Sequence, residues 1–348
     1  MKKISFLIWN TKKCGGNKVV FDYARWFFNH GYEVLIFCVF GKNEDWAGVN
    51  KLIRPIWSLD LFRVRDVVVA TFWPTAYLSL LLPAKKKFYF VLGWEPVFYK
   101  IRIISLIVSF TYKLPLKLIV ISEFLQHQLS LFSARSSTIS PLYIDNRFFN
   151  RHKAGKKKNV RKKILCVVSS YQYYKGVDNL ISSIKILKNI YGRKLKFVLI
   201  SFEKKSLSPL FDEFISSASF EKLVEEYWTS DLFFSSSRTE GFYLPALEAM
   251  ACGCPVLMTD SGGVREYAKN GYNCILYKDA EYMLENNLLE KILNNDMLRR
   301  KLIRNGLKTA RRFTLEKAVK RMEEILVDQR GGDQRGPTRL NLVLLGNI

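Results

Sequence analysis

Two glutamates eight positions apart, Glu240 and Glu248, stand where the chain passes from a strand through a loop into a helix. Carboxylates in one crevice accept hydrogen bonds from neutral hydroxyls, which is the chemistry needed to hold a polyol. Spacing alone leaves a second account open, in which Glu240 caps the helix and Glu248 is a solvated surface charge. Elsewhere, Lys12-Lys13-Cys14-Gly15-Gly16-Asn17 is a basic glycine turn opening a helix. Its backbone N–H groups can face a phosphate, although two glycines alone require no more than a tight turn.

The elements around the glutamates explain how they are placed. Asp231 to Phe234 is a short apolar run suited to a buried strand, and Glu240-Gly241 breaks it. Pro245 falls in the first helical turn, where its missing N–H is no loss. Leu244, Leu247 and Ala251 carry an amphipathic helix that Gly253 ends. Pro255 to Met258 resumes as a strand, and Ser261-Gly262-Gly263 makes a second turn. Such a unit sets two loops and two helix N-termini at one edge of a parallel sheet, where α/β folds bind ligands. Positive dipole ends there favour a phosphate-bearing ligand.

The run Glu240-Gly-Phe-Tyr-Leu-Pro-Ala-Leu-Glu248, followed by Ala-Met-Ala-Cys-Gly-Cys-Pro-Val, resembles the E-x7-E signature of the retaining glycosyltransferases of family 4. The likeness extends more weakly from residue 1 to about 328. It implies a GT-B fold, two facing Rossmann-like domains with the active site between them. A nucleoside-diphosphate sugar is then the donor, a co-substrate and not a resident cofactor, and a glycan or lipid-linked molecule is the acceptor. By motif position Glu240 contacts the donor sugar and Glu248 the ribose, with Gly241, Phe242, Tyr243 and Leu244 lining the donor site. Lys175-Gly176 is similar to the family's Lys-Gly pair, which makes Lys175 the cation that neutralises the donor diphosphate and stabilises charge on the leaving oxygen. Gly15 and Gly16 match the family's Gly-Gly loop against donor diphosphate or acceptor. Trp94 and Glu95, in the loop Gly93-Trp94-Glu95-Pro96, fall on the acceptor side.

The likeness has gaps. Ser169-Ser170 stands where the family has Gly-Arg, Phe202-Glu203-Lys204 replaces a glycine-rich turn, and Tyr243 replaces the second glycine of Gly-Phe-Gly. Arg238, or the lysines at 204 and 205, are the candidates to replace the missing arginine. No Asp-x-Asp motif occurs, in keeping with metal-independent transfer. The altered phosphate loops also support an alternative: a catalytically weakened nucleotide-sugar-binding subunit of a polysaccharide-assembly complex.

The 348 residues are long enough for two domains, and 49% hydrophobic with 14% aromatic content belongs to a folded chain. The expected division is 1–150 for the acceptor domain, 151–163 for a basic linker, 164–330 for the donor domain and 331–348 for a loose tail. Six cysteines without a paired framework and three histidines without ligand spacing indicate a reduced chain with no metal site. Met-Lys-Lys and the short apolar run after it read better as a first strand than as a leader. No stretch reaches the ~18 uninterrupted apolar residues needed to span a bilayer.

The net charge is +24, and residues 1–160 hold 25 basic against 9 acidic residues. Such a first half attracts anionic lipid or polyphosphate; nucleic acid is set aside because no reading motif accompanies the charge. Phe98 to Lys117 is expected as one helix, either lying in the lipid headgroup region or facing the core with solvated ends. A cytoplasmic protein, peripheral on the inner face of the cell membrane, is the resulting expectation. Glu95, the only carboxylate in its loop and flanked by aromatics, is read either as a group with a raised pKa beside a sugar-stacking ring or as part of a surface loop with Trp94 packed inward.

Overall fold

A computed structural model describes residues 2–41, 48–149, 161–201 and 210–327. Short Val-, Ile- and Phe-rich runs with little alternation form parallel strands buried on both faces. The first sheet contains β1 (Lys3–Asn10), β2 (Glu33–Phe40), β3 (Ile53–Pro55), β4 (Arg65–Ala70), β5 (Ala84–Val91), β6 (Lys117–Val120) and β7 (Ser137–Ile139), ordered β3-β2-β1-β4-β5-β6-β7. The second contains β8 (Lys162–Val168), β9 (Leu195–Ser201), β10 (Glu213–Ser216), β11 (Leu232–Ser235), β12 (Val256–Thr259) and β13 (Ile275–Tyr277), ordered β10-β9-β8-β11-β12-β13. Each sheet reverses its winding beside its first strand, and crevices for ligands open at such points.

Helices α1 (Gly15–Asn29), α2 (Trp73–Leu80), α3 (Arg102–Phe110) and α4 (Glu123–Phe132) accompany the first sheet. The second is accompanied by α5 (Val177–Tyr191), α6 (Phe220–Thr229), α7 (Leu244–Ala251), α8 (Ala280–Glu285), α9 (Leu288–Asn294), α10 (Asp296–Ala310) and α11 (Leu315–Leu326). Thr314, a residue type that suits a helix start ahead of an amphipathic run, caps α11 by accepting from the Lys317 N–H, with Val319, Met322 and Leu326 buried. This last helix returns to the first domain: Tyr32 donates to Glu323 at 2.6 Å and Lys2 to the Val327 carbonyl at 3.0 Å. The Ile144 N–H also bonds the Phe313 carbonyl, at 2.8 Å.

Two expectations need correction. Lys162 and Lys163 belong to β8 and not to a linker; Lys162 pairs with Leu195, and the Lys163 ammonium lies 2.6 Å from Glu226. β8 lies inside the sheet between β9 and β11, and both lysine charges find acidic partners there, Asp231 and Glu226. Residues 150–160 and 328–348, and Lys204 with Lys205, lie outside the described residues. The segment 98–117 is not one helix. A 3-10 turn at Glu95–Phe98 precedes α3, which ends at Phe110, and a second turn covers Thr111–Lys113. Pro115 forces Leu114 out of helical geometry, and the chain goes on extended into β6. Among the described residues no helix is long and apolar enough to cross a membrane.

Candidate active site

Lys175 and Glu240 are 65 residues apart in sequence, and two loops bring them together. The Tyr173–Lys175 turn follows β8 and ends at Gly176, whose φ is +60°. A Cβ on Gly176 would sit 2.0 Å from the Ser236 carbonyl oxygen, so this glycine lets the turn lie directly on the loop after β11. The contact is then tied by hydrogen bonds: the N–H groups of Arg238 and Thr239 donate to the Tyr174 carbonyl, and Ser236 Oγ donates to that of Gly176. As a result Lys175 Nζ lies 3.0 and 2.9 Å from the two Glu240 carboxylate oxygens, and Ser237 Oγ donates to Oε1 at 2.6 Å. The capping account of Glu240 needs correction. The residue does not cap α7, whose N-cap is Tyr243 without a side-chain bond, and it is only 8% exposed beneath the lysine.

Glu248 is half-buried on α7 and is no solvated surface charge. The Tyr227 hydroxyl, from α6, donates to its Oε2 at 3.0 Å. Burial pushes its carboxyl up to about 7, opposed by that hydrogen bond and by the Lys18 ammonium of the first domain. The α1 N-terminus thus faces the same region. Gly15 and Gly16 are its first two residues, and a Cβ on Gly16 would lie 3.3 Å from Leu92.

The 241–244 segment works through its backbone. A Cβ on Gly241 would meet the Leu92 carbonyl oxygen at 2.8 Å and the Gly93 Cα at 3.2 Å, so glycine allows the two domains to touch. Phe242 and Tyr243 are buried, the former against Tyr267 and Phe313. Tyr243 has φ +66°, a left-handed conformation that costs a non-glycine residue about 1 kcal/mol. Its ring near Phe233 and the Tyr267 hydroxyl on its carbonyl hold it there. Leu244 is the first residue of α7 and is half-buried.

Three assigned residues, Arg238, Glu95 and Trp94, are already engaged within the protein. Arg238 bonds both Asp178 oxygens at 2.6 Å and stacks on Tyr173, so its guanidinium, like the Lys175 ammonium, is already engaged within the unliganded chain. Glu95 is 2% exposed, and its Oε2 accepts the Trp73 N–H at 2.9 Å. Burial pushes its carboxyl up to about 8, as the raised-pKa reading has it, and the group ties its own loop to α2. Trp94 is stacked on Tyr112 and tilted against Phe132, half-buried, which agrees with the reading that packs its ring inward. One aromatic that reaches across is Phe98, stacked on Tyr174 beside Lys175 at 4.9 Å.

Sequence reasoning missed Ser237 and Tyr227. Ser237, three residues before Glu240, carried a local signal; Tyr227 carried none, because it reaches Glu248 from another helix.

The arrangement has recognisable relatives. Residues 148–309 match the family model of Glycosyl transferases group 1. An uncharacterized glycosyltransferase of Methanocaldococcus jannaschii is 37% identical over 160 residues, 44% of this chain and 44% of that protein. A Campylobacter jejuni protein named N,N'-diacetylbacillosaminyl-diphospho-undecaprenol alpha-1,3-N-acetylgalactosaminyltransferase is 27% identical over 180 residues, 50% of this chain and 46% of that protein. The chain therefore spans about half the length of the curated relatives it matches. Anabaena HepE, solved in complex with UDP-glucose, superposes with a TM-score of 0.78 at 16% identity, covering 94% of this chain and 99% of that one. The chain is a two-domain α/β protein of the GT-B fold, and its residues 148–309 match the Glycosyl transferases group 1 model.

Proposed function

We propose that the protein is a glycosyltransferase that moves a sugar from a nucleoside-diphosphate donor to a lipid-linked or glycan acceptor, with retention of configuration and without a metal. The observation that carries this reading is the Lys175–Glu240–Ser237 cluster at the carboxyl edge of the second sheet, inside the group 1 domain. On this reading Lys175 turns from Glu240 to the donor diphosphate and offsets the charge that grows on the leaving oxygen. Glu240, released, accepts sugar hydroxyls, and Glu248 accepts from the ribose. The departing diphosphate oxygen takes the acceptor's proton on the same face, which keeps the anomeric configuration.

A lipid-linked acceptor at a membrane surface in cell-surface polysaccharide assembly is favoured by a specific feature. Ile101, Ile103, Leu106 and Phe110 on and beside α3 are each half or more exposed, with Lys100, Arg102 and Lys113 around them. An apolar face ringed by cations suits an anionic bilayer. The Campylobacter relative's name contains a diphospho-undecaprenol acceptor, which supports the same choice.

The test is turnover by purified protein across a panel of nucleotide sugars headed by UDP-glucose, with Lys175→Ala as the informative variant. That change is expected to weaken a nucleoside diphosphate at least tenfold while leaving the bare nucleoside within about twofold, since only the diphosphate carries the charge. Equal losses would remove Lys175 from the phosphate site, and no turnover with any donor would favour a binding subunit.

A further inference from the structure

Glu240 is held from behind as well as from the side. Its N–H donates to the Ser261 carbonyl at 2.9 Å, and its carbonyl accepts the Gly263 N–H at 3.0 Å. The fit leaves no space: a Cβ on Gly263 would lie 2.1 Å from the Gly241 oxygen and 2.6 Å from that of Glu240. The 261–263 loop therefore sets where the Glu240 backbone sits.

That loop is in turn fastened to the other domain. It runs into a 3-10 turn, Gly263–Glu266, whose final residue reaches the N-terminus of α4. There Ser122 Oγ caps the Leu125 N–H, while the Glu123 N–H, the first of the helix, donates to the Glu266 carboxylate. A carboxylate at this end meets both an unfilled N–H and the positive end of the helix dipole. Next to it the Phe124 ring lies flat on Gly262, where a Cβ would be 2.6 Å from the ring. Gly262 has φ +86°, so the close approach uses a backbone that other residues avoid.

We infer that Glu266 is a positioning residue: by taking the first N–H of α4 across the cleft, it clamps the 261–263 loop against Glu240 and makes the geometry of that carboxylate depend on contact between the domains. Neither the spacing of the two motif glutamates nor the role proposed for Lys175 involves Glu266. The inference rests on Glu240 contacting the donor sugar, and its test has a readout that does not.

Hydrogen exchange read by mass spectrometry on the unliganded full chain follows the amides directly. Glu266→Ala is expected to speed exchange about tenfold at Glu123 and also at Glu240 and Gly263, the two amides of the paired loop. Glu266→Gln, which keeps an oxygen acceptor, is expected to restore protection at all three. Phe124→Ala, made in the first domain, is expected to loosen Glu240 and Gly263 as well, and it decides the matter should Glu266→Ala not fold. Faster exchange confined to Glu123, or none, overturns the inference. With a turned-over donor, Glu266→Ala is expected to lower kcat about tenfold with UDP affinity within twofold, because misplacing a reacting group harms the transition state more than nucleotide binding. Parental kcat with loosened amides would likewise overturn it. Absence of turnover in the unaltered chain would count against the glycosyltransferase reading and leave the exchange result to judge the clamp.

Discussion

Replacing Glu240 by glutamine should abolish transfer and yet tighten the binding of a bare nucleoside diphosphate. In the unliganded protein the Lys175 ammonium is shared with Glu240 at 2.9 and 3.0 Å, and the two side chains are only 18% and 8% exposed. A pair about 4 Å apart in a near-surface environment attracts by about 4 kcal/mol, and much of that is offset by desolvation of both charges. A diphosphate must draw the ammonium off this partner. Glutamine keeps the shape and can still accept from Ser237, but it removes the competing charge. The remaining advantage is about 1–2 kcal/mol, or roughly five- to thirty-fold in Kd. Titration calorimetry with the nucleoside diphosphate that the unaltered chain binds best would measure it. Because the variant leaves a cation unpaired, its melting temperature without ligand should fall, and the rise on adding diphosphate should exceed that of the parent. Diphosphate affinity equal to or weaker than the parent's would refute the claim that donor and Glu240 compete for Lys175. Parental turnover in Glu240→Gln would separately remove Glu240 from the sugar site.

Tyr227→Phe keeps the buried ring but removes the hydrogen bond that favours ionised Glu248; if the ribose needs the carboxylate, donor binding that weakens as pH falls through about 7 should show its midpoint displaced upward in the variant. The Glu95 carboxyl has an ordinary value of 4.5 and is raised by burial to about 8, so the folded state holds its proton more tightly. That contribution to stability is complete below pH 4.5 and is lost as pH rises towards 8, with a slope of at most about 1.4 kcal/mol per pH unit. Glu95→Gln should lack this slope, so that in thermal melts the variant gains on the parent with increasing pH; parallel profiles would contradict the burial of an acid. Ile103→Ser with Phe110→Ser should cut flotation of the full chain with anionic vesicles several-fold, while parental binding should itself fall with added salt. Equal partitioning of parent and variant would mean that α3 is not the membrane face.

The parallel sheets, the capped final helix and the E-x7-E segment were legible in the chain because their signals are local. Apolar runs, Pro245 at a helix start and Thr314 at a cap each act within a few residues, and those effects do not depend on what lies opposite. The length of α3 was misjudged because its apolar run continues past the point where Pro115 imposes an extended backbone. For Glu95 the sequence left open a group with a raised pKa or a surface loop; its burial follows from the way α2 and the 93–96 loop pack together, which no window of sequence contains. Lys175 and Glu240 were each recognised, but their pairing depends on Gly176 meeting Ser236, and that leaves them sharing charge before any ligand arrives. Tyr227 on Glu248 and Glu266 on the first amide of α4 were decided only by tertiary structure. In both, a polar group finds its partner on a separate element, and the penalty for burying a donor or acceptor unpaired selects that contact once the fold has set its distances.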